Sequence, residues 1–207
     1  MIFRKYVLGA VFGMLFLSGC RKTVKVFPKL DRQKAYHGKE EDLDVWIKVF
    51  SAQDSKECFG IDLHKYGYGV AQLQVHNRGK NSYVLKPSYC NYPLVSGKHI
   101  AQLMHYETST WVTYLTFPAI IFFWPAIPLG VIPAGLSMRS YNRKIDKSLI
   151  RKSLHKHEVL EILPYEHVQK FLFFTEYDWT LGDIGFLNRD TRELISFTFP
   201  LFEKDEK

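Results

Sequence analysis

Tyr68-Gly69-Val70-Ala71-Gln72-Leu73-Gln74-Val75-His76 alternates in character, with Ala71, Leu73 and Val75 on one side and Gln72, Gln74 and His76 on the other. Successive side chains of an extended chain point to opposite faces, so this stretch reads as a half-buried β-strand. Asn77-Arg78-Gly79-Lys80-Asn81-Ser82 then supplies turn-forming residues before Tyr83 to Lys86 resumes the strand pattern, which predicts a hairpin. Gly67 and Gly69 around Tyr68 predict a bulge or a tight approach to the first strand.

The pattern extends outward from there. Val45 to Phe50, Val159 to Leu163, Val168 to Phe174 and Leu194 to Phe199 are further strand signals, broken by Pro164 and by Asn188-Arg189-Asp190. In the last, Ile195, Phe197 and Phe199 oppose Ser196 and Thr198. About seven short strands in one domain of residues 45–201 resemble an immunoglobulin-like β-sandwich, although the Cys…Trp…Cys spacing of true immunoglobulin domains is missing. The 207 residues suit a single domain, and a chain 46% hydrophobic and 15% aromatic is not a disordered tail. A mean hydropathy of −0.15 excludes a many-pass membrane protein.

One stretch does not fit the strands. Residues 108–138 carry no charge and include Trp111, Phe117, Phe122, Phe123 and Trp124, interrupted by Pro118, Pro125, Pro128 and Pro133. Interior prolines each cost a helix about 3 kcal/mol. One reading is a hairpin turning near Trp124-Pro125, dipping into a leaflet or lying on the sandwich. A second is a single proline-kinked transmembrane helix at about 111–138. The third is an unusually apolar pair of core strands or loops. A single crossing would divide the strands between two sides of a membrane, leaving each half too small for a good core.

Arg139, Arg143, Lys144, Lys147, Arg151, Lys152 and Lys156 follow at once, opposed only by Asp146. That asymmetry suits either the positive-inside rule for a spanning helix or a basic amphipathic helix on anionic head groups. Met138, Tyr141, Ile145 and Leu149 recur at helical spacing and favour the amphipathic helix, with an earlier helix near Gly97 to Tyr106 as its partner. The formal charge of +7 is thus concentrated: residues 139–157 hold seven cations and one acid, and the rest of the chain after Gly19 is near neutral. The insertion 108–157 is therefore expected to contact a membrane.

The chain opens with Arg4-Lys5, an uncharged apolar run from Tyr6 to Leu17, and Leu17-Ser18-Gly19-Cys20. A basic start, a short apolar segment and small residues before a cleavage point form the grammar of a secretory signal. The last four residues resemble a bacterial lipoprotein lipobox. That resemblance implies cleavage after residue 19, diacylglycerol on the Cys20 thiol and acylation of the new amino terminus, hence palmitate-type chains in a membrane. Arg21 stands where an Asp would signal inner-membrane retention in such lipoproteins, so the resemblance favours an outer membrane. Residues 20–44, rich in charge and without apolar period, read as anchor and solvated tether, and 202–207 as a charged tail.

Catalytic signals are sparse. Cys58 and Cys90 suggest a disulfide in an oxidising envelope, and His64 near Cys58 offers no defined base geometry. His155 and His157 lack a third ligand at metal-site spacing. Asp178, Asp183 and Asp190 fit turns, and no phosphate loop or nucleophile motif occurs. The expectation is a non-enzymatic lipoprotein with no cofactor and no nucleic-acid partner, binding membrane lipid and an unidentified envelope protein. A hydrolase with a site near the insertion and a bitopic protein are the alternatives.

Overall fold

The computed structural model describes residues 28, 30–105, 127–155, 157–175 and 181–200. Among these the chain is mainly β: β1 (Tyr36–Glu40), β2 (Leu43–Val49), β3 (Tyr68–Asn77), β4 (Tyr83–Cys90), β5 (Leu160–Ile162), β6 (His167–Thr175), β7 (Leu181–Asn188) and β8 (Leu194–Pro200). Three helices join them: α1 (Ala52–Phe59), α2 (Gly97–Met104) and α3 (Ile127–Lys152). The strands form two antiparallel sheets, ordered β1-β2-β3-β6 and β5-β4-β7-β8.

Alternation builds the core the two sheets share. Leu43, Val45 and Ile47 of β2, Ala71, Leu73 and Val75 of β3, and Leu172 and Phe174 of β6 gather with Tyr83, Leu85, Ile184, Phe186, Ile195, Phe197 and Phe199 of the second sheet. A second cluster lies on the other face of the first sheet. There Val70, Phe171 and Phe173 meet Phe59 of α1, Ile100 and Met104 of α2, and Ile145 and Leu149 of α3. Phe59 and Phe171 stack edge to face at 5.2 Å between centroids, a contact worth about 1 kcal/mol beyond burial.

The hairpin expected at residues 77–82 is corrected. β3 pairs with β2 and β6, and β4 with β5 and β7, so the connection crosses from one sheet to the other. Both edges of each strand are occupied, leaving no room for the pair. Asn77 pins the crossing, its Nδ2 donating to the carbonyls of Asn81 (2.7 Å) and Leu163 (2.9 Å) while its Oδ1 accepts from Gly79 N.

The tether is corrected in its later part. Tyr36–Glu40 is a strand paired with β2, and Leu30, Leu43 and Asp44 are buried. The charged surface of this segment hides its pairing, since an edge strand presents polar side chains to water. Two further elements have weak sequence signals. α1 starts at a capping box in which Ser51 Oγ accepts from Asp54 N and Asp54 accepts from Ser51 N. β7, read as a turn from its Gly and Asp content, runs between β4 and β8, where Gly185 passes close to Tyr89 at the β4 bulge.

The insertion starts and finishes on β6. Leu94 bridges Phe174 and Val95 N donates to Phe173 O (2.7 Å) just before α2. Just after α3, Ser153 bridges Phe171 and Leu154 N donates to Phe171 O (3.0 Å). β3, before the insertion, pairs with β6, after it, from Tyr68–Thr175 to His76–His167. A single crossing at 111–138 would separate these partners by a bilayer, so the pairing contradicts the bitopic reading. Among the described residues, no helix is long and apolar enough to span a membrane.

Candidate membrane-contacting face

α3 carries the basic run, and its two long sides differ. Ile145 and Leu149 are buried against α2. Arg139, Arg143, Lys147 and Arg151 recur every fourth residue and are all exposed, as is Lys144 beside them. At 100° per residue, Arg143 and Lys147 each lie about 200° from Ile145, so the cationic stripe opposes the buried one. From Arg139 to Arg151 it extends about 18 Å. Arg139, Ser140, Arg143, Lys144 and Lys147 line a shallow hollow of about 360 Å³. Lys152 is half-buried and lies off the stripe.

The one acid of the run is engaged elsewhere. Asp146 Oδ1 meets His105 Nε2 at 2.8 Å, joining α3 to the end of α2. The two helices also approach closely where Gly97 faces Ser153 and the Leu149 carbonyl. Ser96 caps α2, its Oγ accepting from Lys98 N at 3.2 Å. The end of α3 receives one cation from the sheet: Lys170 Nζ donates to Arg151 O (3.2 Å), and also to Glu158 beyond the helix (2.9 Å). A positive group at a helix C-terminus is favourable, and here it ties the helix to β6.

Cys20, Trp111, Phe117, Phe122, Phe123 and Trp124 lie outside the described residues, as do the signal segment, the charged tail and Asp178. The Cys58–Cys90 disulfide is corrected: no bond joins them. Cys58 belongs to the helix-side cluster and Cys90 packs against the core between the sheets, so the first sheet separates them. Burial pushes the Cys90 thiol up to about 11, only partly offset by Tyr92.

The remaining polar residues are dispersed in local contacts. Asp183 accepts from Asn91 Nδ2 (2.9 Å) and from Thr198 Oγ1 (2.6 Å). His64 Nε2 meets Phe50 O, His99 meets the Tyr68 hydroxyl, and His155 meets Ile150 O. Among the described residues, no three His, Cys, Asp or Glu side chains are grouped to hold a metal ion.

A cluster that spacing did not reveal occupies the outer face of the first sheet beyond the helices. His37 stacks on Trp46 with 4.7 Å between centroids, and the Arg32 guanidinium lies 4.8 Å over the same ring. Asp44, 1% exposed, pairs with Arg78 and lies 3.6 Å from His37. His76 and His167 meet edge to face at 6.1 Å. Partial burial, then the neighbouring His76 and Arg32, hold His167 below the ordinary histidine value of 6.5. Its members come from four strands, the segment before β1 and the connection after β3, so no local motif could announce it.

No family model, curated protein or solved structure matches this chain.

Proposed function

We propose that this chain is a lipid-anchored bacterial envelope lipoprotein whose immunoglobulin-like β-sandwich binds or scaffolds at a membrane surface without catalysis. The observation that carries the reading is the two-sided α3, buried by Ile145 and Leu149 and cationic on the opposite side, continuing directly from an uncharged segment. A basic helix face beside apolar side chains suits anionic head groups above a hydrocarbon layer. In this reading Trp111, Phe117, Phe122, Phe123 and Trp124 supply the apolar contact, and Arg139, Arg143, Lys144, Lys147, Arg151 and Lys152 the ionic one. Acyl chains on Cys20 supply the permanent anchor, with an outer membrane favoured by Arg21.

Strand order supports the immunoglobulin-like assignment. With β1 set aside as an extra edge strand, the other seven in chain order pair first-second-fifth and fourth-third-sixth-seventh. A constant-type immunoglobulin domain pairs first-second-fifth-fourth and third-sixth-seventh, so only the fourth strand changes sheet. Folds of this kind carry many functions, and the membrane role rests on the α3 face rather than on the sandwich.

Metabolic acyl labelling in a bacterial host tests the anchor. The full chain is expected to incorporate labelled fatty acid and fractionate with membranes, and Cys20→Ser to lose the label. Equal labelling of the two chains would refute the lipoprotein reading.

A further inference from the structure

The described end of the segment between Cys20 and the sandwich docks on the same sheet face as the helices. Gln72, fully buried on the outer side of β3, donates from Nε2 to Pro28 O at 3.0 Å. Leu30 is 8% exposed, and Asp31 caps the short 3-10 turn Arg32–Lys34, which brings Arg32 over Trp46. Pro28 and residues 30–34 therefore form a strap across the first sheet, leading into β1.

The sheet register shows how strap and helices divide this face. Lys48, Gln72 and Phe171 occupy one rung across β2, β3 and β6. Phe171 on that rung is covered by the helix-side cluster, whereas Gln72 beside it holds Pro28. The next outward rung is Trp46, Gln74 and Gln169, over which Arg32 lies. Followed back toward its amino end, the strap thus runs to the border of the helical layer.

We infer that the lipid anchor and the α3 cationic face engage one bilayer together, fixing the domain with its helical layer toward the membrane and the outer face of the β5-β4-β7-β8 sheet away from it. This rests on the lipoprotein reading and adds an orientation to it. Eight chain steps separate Cys20 from Pro28 and extend at most about 29 Å. A helix with its side chains is about 10–12 Å thick, so the anchor can pass the helical layer and reach the plane of Arg139, Arg143 and Lys147. Once the acyl chains insert, the α3 contact becomes intramolecular and gains the effective concentration of a short tether. The outer face of the opposite sheet, where Leu181 and Leu194 are each about half exposed, then points away from the bilayer.

The test uses full-length acylated protein on vesicles containing phosphatidylglycerol and a head-group nitroxide quencher. Lys147→Cys on α3 and Ser196→Cys on the far sheet each carry one fluorophore, attached without denaturant so that buried Cys58 and mostly buried Cys90 stay unlabelled. The orientation predicts quenching at position 147 about threefold stronger than at 196, since only the α3 face lies at head-group depth. Vesicle-bound protein with equal quenching, or stronger quenching at 196, would overturn the orientation and leave the anchor standing. Protein that fails to acquire acyl chains and stays off the vesicles would overturn both.

Discussion

Asp44 is almost wholly buried, with its carboxylate answered by Arg78 and neighboured by His37. Removing one partner of a buried charge leaves the other desolvated, a loss that the half-exposed position of Arg78 moderates. Arg78→Ala is expected to destabilise by about 2 kcal/mol in urea unfolding, and adding Asp44→Asn to recover part of it. In sequence, Asp44 closes an acidic cluster with Glu40, Glu41 and Asp42, and nothing in that spacing marks one acid as interior. The cysteines are a similar case. Their even count suggested a bond, but pairing depends on distances that strand order sets. Burial of Cys58 and the elevated thiol of Cys90 predict negligible alkylation of either at pH 8 until the chain unfolds, as followed by intact mass. His167, depressed below 6.5 in the fold, binds its proton less readily there than in the unfolded chain. Stability should therefore fall as pH drops through that range, and His167→Gln should flatten the fall. Replacing Arg32 with Gln should move the His167 NMR titration upward, because a repelling cation is lost.

At the scale of elements, the helix pair depends on close approach. A Cβ on Gly97 would meet Ser153 Oγ and come within 3.1 Å of the Leu149 carbonyl, an atom fixed in the α3 backbone. Gly97→Ala is expected to cost about 2 kcal/mol and lower Tm, because that overpacking pushes α2 from α3. Ser51→Ala should remove the α1 cap for about 1 kcal/mol. Strands with clean alternation were legible: β3, β6 and β8 fall within a residue or two of their sequence signals, and α2 and the second half of α3 follow their apolar spacing. β1 and β7 were not, since one is an edge strand with polar side chains and the other uses Gly185 to clear a bulge. The turn after β3 has hairpin chemistry, but the same residues serve a crossing between sheets. Local propensity does not distinguish the two, because the choice is made by which strands already occupy the edges.

For the whole molecule, the sequence located the core and the basic run but not their relation. Two sheets share one core, with strands from both sides of the insertion paired in each, and Leu94 before it and Ser153 near its end both bridge to β6. That arrangement sets the cations of α3 on the side of the helix away from the sandwich. The central claim is that this face recognises an anionic bilayer independently of the acyl anchor. Its most direct measurement is vesicle co-sedimentation of the Cys20→Ser chain produced without residues 1–19, on phosphatidylcholine vesicles with and without phosphatidylglycerol. The account predicts binding that requires the anionic lipid and weakens with salt. At about 1 kcal/mol per cation, Arg139→Ala, Arg143→Ala and Lys147→Ala combined should lower it about 100-fold with folding intact by circular dichroism. Absence of binding, equal binding to both vesicle types, or unchanged binding by the triple variant would contradict it.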